Sequence, residues 1–560
     1  MKKSFFPIGI DSFEKLRTEN CYYIDKTDFI EELLQDKFEV TLITRPRRFG
    51  KTLNVSMLAS FFDIRKDSGN IFEGLAVSRN KALCNRWMNQ WPVLFLTLKN
   101  VEGLTFDSAY GSLKSALADL CIEHSYLMDS DSADDGDKQV FRHLKARQGN
   151  DAETKDALYT LMRMMKMHYD RPVILLIDEY DVPLAKASEG GYYLPMLDVL
   201  RSLLGKVFKT NPFLKFAVTT GCLRIAKESI FTGTNNFVSY GISSRHFQKY
   251  FGFTEEEVQK LLADIGLSDH IGEIKSWYDG YLFGKNEIYC PWDVLNHVNR
   301  LQYNPHTKPA NYWRNTSHNS IIRNFIDRTD LAVNDKFEIL LSGECIWESV
   351  SEDLTYDVLY SSEANLWSIL YLTGYLTRAS VDQSEAEYPS EGKKAALKIP
   401  NEEIKTIFAD TIATWFTDII KNSDRQSLFD AFWSGNEKQA TELVTDLLFD
   451  TISYYDYKED YYHAFLAGIF TGAGYAVESN REYGLGRPDI VIRDRKNRRV
   501  IIIEVKHSKT ESRMQEDAQA AVNQIDMRAY VRQFLKGYQS VYCYGASFFE
   551  KECLIISCIL

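Results

Sequence analysis

Three short stretches carry residues whose types and spacing could do chemistry: RPRRFGKT at 45–52, IDEYD at 177–181, and Pro488-Asp489 separated by fourteen residues from Glu504-Val505-Lys506. The first ends as the phosphate-binding pattern GxxxxGK[ST] does, although Arg45 stands where the first glycine belongs. Gly50 permits close backbone approach, Lys51 neutralises phosphate oxygens, and Thr52 offers an oxygen to a magnesium ion. In the second stretch Asp178 suits the ion, and Glu179 suits a general base that prepares water. Asp181 either supports that site or caps the Asp/Pro turn, and the structural role is the favoured one. In the third, Asp489 and Glu504 supply two carboxylates for a divalent ion, while Lys506 brings positive charge to water or to the reacting phosphoryl group.

Such residues work only if the chain brings them together. Phe38–Thr44 reads as a strand and Leu53–Phe62 as the helix after it, so the first motif sits at a strand-to-helix turn. Val173–Ile177 is an apolar strand that delivers Asp178 and Glu179 to its end. Further strands at Pro92–Leu98 and Leu214–Thr220, with helices between, predict a parallel, helix-covered sheet with ligand loops at its carboxyl edge. The run DSDSADDGD and the polar residues between 125 and 157 read as an exposed insertion or variable lid. After Thr220 and Gly221, Arg224 or Lys227 is placed to contact a phosphate in the same chain or a neighbour. The alternative is a helix cap followed by a solvated arginine. Use of Arg224 in trans requires a homo-oligomer.

Near the C-terminus, a hairpin turn centred between Lys496 and Asn497 sets Asp489 opposite Glu504, and period-two alternation puts Glu504 and Lys506 on one face. A one-residue slip would turn the pair inside out. Helices at Asp460–Phe470 and from Arg513 to about Leu535, with strands at Tyr475–Glu478 and Val541–Tyr544, flank this hairpin. Arg487, Arg493, Arg495, Arg498 and Arg499 offer sequence-independent phosphate contacts. Helices predominate from Ile321 to about Phe429. Tyr278, Tyr281 and Trp292 read as packing residues in preference to base-stacking ones.

The chain has 560 residues, 45% of them hydrophobic, enough for several buried cores. Its formal charge of -12 excludes a uniformly nucleic-acid-coating surface, yet residues 481–509 hold nine Lys or Arg against four Asp or Glu. Nine cysteines without close CxxC pairs fit buried reduced thiols, and the histidines lack metal-site spacing. No signal segment or membrane span is evident, so a cytoplasmic location is expected.

The blocks FPIGIDSFEKLR, YYIDKTDFI, TLITRPRRFGKTLNVSML, VILLIDEYDVPL and TGCLRIAKESIFTGTNNF resemble the AAA-ATPase-like family found in many bacterial proteins. The D-x14-ExK hairpin with its surroundings resembles the PD-(D/E)XK nuclease superfamily. Together they imply an α/β protein with three parts: a P-loop NTPase-like parallel sheet over 1–275, a mainly helical connector over 276–439 and a restriction-endonuclease-like domain over 440–560. The first resemblance makes Arg45 a family variant and favours ATP with Mg2+ over GTP. It assigns Arg48, Gly50, Lys51, Thr52 and Asp178 to the nucleotide and its ion, and Arg224 with Asn236 to a region sensing nucleotide state. The second makes Asp489, Glu504 and Lys506 catalytic with Mg2+ or Mn2+, puts Gln524 at a supporting position on the following helix and sets the His463 helix beside the nuclease core. Glu478 and Glu482 compete for an additional upstream acid. The expectation is an ATPase coupled to a metal-dependent, phosphodiester-cleaving nuclease, with DNA favoured over RNA. The alternative is a nucleotide-responsive scaffold that binds nucleic acid or protein without cutting.

Overall fold

The computed structural model describes residues 5–224, 237–313, 334–354, 356, 362–379, 394–420, 426–451, 459–472, 475–479, 488–527, 530–535 and 537–559. Contacts divide the chain into two compact units, residues 1–313 with 347–402, and 314–346 with 403–560.

The first unit is built on five strands, β1 (Val40–Thr44), β2 (Val93–Thr97), β3 (Val173–Asp178), β4 (Leu214–Gly221) and β5 (Phe237–Tyr240). They lie parallel in the order β2-β3-β4-β1-β5. Every residue of β1 and β3 is buried, as their continuous apolar runs demand when helices cover both faces. The helix Lys51–Phe62 follows β1 directly through the phosphate-loop sequence.

Residues 125–157 depart from the exposed insertion expected of them. They contribute to helices Asp135–Lys145, Asp151–Lys155 and Ala157–Tyr169, whose Phe141, Leu144, Leu158 and Leu161 enter the same core as Leu94 and Leu175. The acidic string is local punctuation. The Asp134 side chain accepts from the N–H groups of Gly136 and Asp137, Asn150 and Glu153 form a reciprocal capping box, and Asp137 is bound by Arg163.

Beyond β5, helices Glu255–Ile265, Ile271–Tyr278 and Pro291–Leu301 close a second core around Leu261, Ile274, Tyr278 and Val294, with Phe6 packed into it. The stretch expected to be mainly helical also holds the hairpin of β6 (Tyr281–Phe283) and β7 (Asn286–Ile288). A small sheet follows, of β8 (Ile346–Ser349), β9 (Thr377–Arg378) and β10 (Lys394–Lys398) in the order β8-β10-β9. Just after β8 the chain returns to the carboxyl edge of the parallel sheet. Glu352 accepts hydrogen bonds from the N–H and Oγ of Ser243, Asp353 pairs with Arg224 at 2.9 Å, and the Tyr356 hydroxyl donates to Asp181 at 3.1 Å.

The second unit holds β11 (Ala476–Ser479), β12 (Ile490–Asp494), β13 (Arg499–His507), β14 (Ser540–Phe549) and β15 (Glu552–Ile559) in sequential order. All neighbours are antiparallel except β13 and β14. The helix Met514–Met527 brings Ile525 against Val491, Val500, Ile502 and Cys543. Among the described residues no helix is long and apolar enough to cross a membrane.

Candidate functional site

The phosphate loop works because Gly50 takes a left-handed backbone, φ +79°. A Cβ there would meet nothing within 4 Å, so backbone conformation is what calls for glycine. The next residue opens the helix Lys51–Phe62, whose first turn has no side-chain cap and so presents N–H donors to an anion. Lys51 is buried, with Nζ 3.3 Å from Glu179 and donating to the carbonyls of Arg45 and Pro46. Burial opposes its charge, but Cys222, Glu179, Asp181 and Asp178 outweigh that and hold its pKa above the ordinary lysine value. Thr52 Oγ1 donates to Asp178 at 2.8 Å and Thr220 Oγ1 to the other carboxylate oxygen at 2.7 Å. β4, lying between β1 and β3, thus ties the acid to the loop. Burial and the neighbouring Glu179 raise the Asp178 pKa against these hydroxyl bonds and Lys51. Glu179 and Arg48 have φ of +54° and +73°, a strained backbone for non-glycine residues that concentrates at working sites.

A cleft of about 330 Å³ opens beside this loop. Its floor includes Gly50, Lys51, Thr52 and Glu179, and its walls include Ile10, Tyr23, Phe253, Trp292 and Leu295. An apolar chamber ending at the buried Lys51 and at Thr52, which is itself bonded to Asp178, fits the base, phosphates and divalent cation of a nucleotide.

At the other candidate site, strands β12 and β13 pair Ile490 with Ile503 and Asp494 with Arg499, the register expected from the turn. Asp489 and Glu504 meet in continuation of that ladder. The Asp489 N–H donates to Glu504 Oε2 at 3.2 Å, and the Val505 N–H donates to Asp489 Oδ2 at 2.8 Å. Gln524 donates to Glu504 Oε1, and His463 Nε2 donates to the Asp489 carbonyl at 2.8 Å. Glu504 is 1% exposed. Lys506 Nζ donates to the Val505 carbonyl at 3.0 Å. Two carboxylates make a hard-oxygen donor pair suited to a divalent cation.

Two residues that sequence reasoning passed over shape this centre. Gly545 lies opposite Glu504 in the parallel β13–β14 ladder, and a Cβ there would come within 2.2 Å of the Ala518 carbonyl oxygen. Its absence lets the helix Met514–Met527 approach closely enough to bring Gln524 to Glu504. Ser547, opposite Lys506, donates to the Met514 carbonyl at 2.8 Å and pins the helix start. A glycine in an otherwise apolar strand was the available signal.

Other expectations are redirected. Arg48 lines the cleft, but its guanidinium donates to the Tyr312 carbonyl and lies 4.7 Å from the Trp292 ring centre. Trp292 is therefore a half-buried cleft residue, whereas Tyr278 and Tyr281 are buried. Arg224 is held by Asp353 and does not line the cleft. Asp181 does not cap the Asp/Pro turn with its side chain; it accepts instead from the N–H groups of Cys222 and Leu223 just beyond β4. Arg45 is buried and donates to the carbonyls of Thr44, Tyr240 and Gly241 at 2.7, 2.9 and 2.8 Å, so it braces the loop from beneath. Glu478 pairs with Arg493 at 3.2 Å, and Arg499 pairs with Asp494. Arg495 and Arg498 remain exposed at the hairpin tip. Asn236, Glu482, Arg487 and Lys227 lie outside the described residues.

Comparison with known proteins finds a family match for the region around each site. Residues 7–231 match the family described as "Predicted AAA-ATPase", and residues 457–558 match the PD-(D/E)XK nuclease superfamily. An "Uncharacterized protein in vnfD 5'region" of Azotobacter chroococcum mcd 1 is 24% identical over 509 residues, covering 88% of this chain and 87% of its own. The chain therefore joins an AAA-ATPase-like domain to a C-terminal domain of the PD-(D/E)XK nuclease superfamily.

Proposed function

We propose that the protein binds and slowly hydrolyses Mg2+-ATP in the N-terminal cleft, and that its C-terminal domain cleaves DNA with Mg2+ or Mn2+ under control of the nucleotide state. The observation carrying the nuclease half is the contact of Asp489 with Glu504 beside Lys506, on a register fixed by the hairpin. A divalent cation held by Asp489 and Glu504 would supply Lewis acidity to a phosphodiester. Lys506 contributes positive charge where phosphoryl charge develops, Gln524 holds the Glu504 carboxylate, and His463 steadies the Asp489 backbone. In the N-terminal domain Lys51 would meet phosphate, Thr52 and Asp178 the cation, and Glu179, released from Lys51, would accept a proton from water. Nothing in the nuclease chemistry consumes ATP, so its role is assigned to gating or remodelling.

Purified protein, with Asp489→Ala, Glu504→Ala and Lys506→Ala, is to be assayed on single- and double-stranded DNA and RNA, with metal varied and ATP present or absent. Cation-dependent DNA cleavage by the wild type, lost in each folded variant while ATP binding persists, is the expected result. Equal cutting by Glu504→Ala would sink the catalytic assignment. Cleavage of RNA alone would move the substrate, and no cleavage under any condition would favour a nucleotide-controlled binding protein.

A further inference from the structure

The phosphate loop carries three arginines, and two have visible structural tasks. Arg45 braces the loop from beneath through strand and turn carbonyls, and Arg48 is turned toward Tyr312 and Trp292 at the cleft wall. Arg47 is half-buried, and among the described residues it makes neither a hydrogen bond nor an ion pair. Burial works against its charge, yet Cys222, Tyr356, Asp181 and Glu179 outweigh that and keep it firmly protonated. A partly desolvated guanidinium with its planar fork of donors uncommitted is suited to an anion.

The surroundings say which part of an anion. The cleft is lined by Arg48, Gly50, Lys51, Thr52 and Glu179, but not by Arg47, Cys222, Asp181 or Tyr356. Lys51 Nζ donates to the carbonyl of Pro46, the residue before Arg47, at 3.0 Å, which sets Arg47 beside Lys51 in the loop and outside the lining of the apolar chamber. Lys51 stands between the two regions, 3.3 Å from Glu179 and 3.5 Å from Cys222 Sγ. A nucleotide whose base fills the chamber and whose phosphates run past Lys51 reaches the Arg47 side last. Arg224, the other arginine considered for this duty, is already paired with Asp353.

We propose that Arg47 binds the terminal phosphate of a nucleoside triphosphate from within the phosphate loop of the same chain, and so distinguishes triphosphate from diphosphate. The proposal rests on the nucleotide reading of the N-terminal cleft. It accounts for an arginine-rich loop in a chain whose Arg224 is otherwise engaged, and it requires no neighbouring copy.

The test is equilibrium binding of the full-length protein, with Mg2+, to a non-hydrolysable ATP analogue and to ADP, for wild type, Arg47→Gln and Arg47→Lys. Arg47→Gln should weaken the triphosphate analogue by about tenfold to a hundredfold, the range for a lost charge-assisted contact, and change ADP by less than about threefold. Arg47→Lys should recover part of the difference, since a point charge replaces the planar fork. It also serves as the reporter if Arg47→Gln melts early. Equal losses for both ligands, or no loss for either, would overturn the terminal-phosphate assignment. Wild type that binds neither ligand would overturn the nucleotide reading itself, and this proposal with it.

Discussion

Replacing Arg45 with glycine would restore the full GxxxxGKT pattern, and the structure says the repair does harm. Arg45 is buried, and its Nη1 donates to three carbonyls, one of them on β5 and one just after it. It has no positive φ that would favour glycine. Arg45→Gly strips a charge-assisted partner from three acceptors, each worth about 1–3 kcal/mol if left dry. Water entering the vacated volume, and the end of guanidinium desolvation, return part of that, so a net loss of about 3–5 kcal/mol is expected. At about 2 °C per kcal/mol for a unit of this size, the corresponding transition should fall by about 6–10 °C. Calorimetry of the full chain, with the second unit's transition as internal reference, measures it. Binding of Mg2+-ATP should weaken in parallel as the loop loses its brace. An Arg45→Gly protein that melts within about 2 °C of wild type and binds ATP as well or better would refute the argument.

Three further outcomes follow from the same geometry. Burial, against a hydrogen bond from the Gly280 N–H, raises the Asp279 pKa from 3.8 to about 6. The folded state therefore holds its proton more tightly than the unfolded chain, and stability falls as pH rises from about 4 through 6; Asp279→Asn should melt higher than wild type at pH 7 and lose that advantage toward pH 4, and thermal melts across that range check it. His463→Ala removes the donor on the Asp489 carbonyl and should weaken Mn2+ affinity about 10–100-fold, with His463→Gln restoring part of it; calorimetric titration of Mn2+ would expose the error if Ala and Gln behave alike. Gly545→Ala drives a methyl into the Ala518 carbonyl, so the helix Met514–Met527 should shift and Mn2+ affinity drop, an outcome contradicted by unchanged binding and an unchanged Gln524–Glu504 contact in a crystal structure.

The parts of the sites readable in the sequence are those governed by local rules. The turn between Lys496 and Asn497 fixed the Asp489–Glu504 pairing because side chains alternate with period two, and the observed ladder follows that register. Strand ends announced Lys51 and Asp178 in the same way. What escaped depends on partners far along the chain. Arg45 is explained by Tyr240 and Gly241, 195 and 196 residues away, and Arg224 by Asp353. The region after residue 125 departs from its composition for a different reason. Composition alone makes its acids look solvated, although Asp134 before a helix and Asn150 three residues before Glu153 are capping signals. Gly545 belongs to neither class, since its cause is the close approach of a helix that follows a different strand.

The return of the chain after β8 sets a timetable for synthesis. Asp181 finds the Tyr356 hydroxyl 175 residues later, and Ser243 finds Glu352 after 109. At about 5–20 residues per second, a ribosome that has completed β5 needs roughly 5–20 s before these partners leave the exit tunnel. Throughout that interval the nascent sheet carries Lys51, Asp178 and Glu179 with its carboxyl edge unlatched, and Arg224 lacks the carboxylate that later holds it. The span matched as an ATPase ends at residue 231, so a fragment cut there would lack β5 as well as this latch. Vectorial folding thus makes residues 351–354 and 356 late pieces of a domain whose first strand formed some 300 residues before.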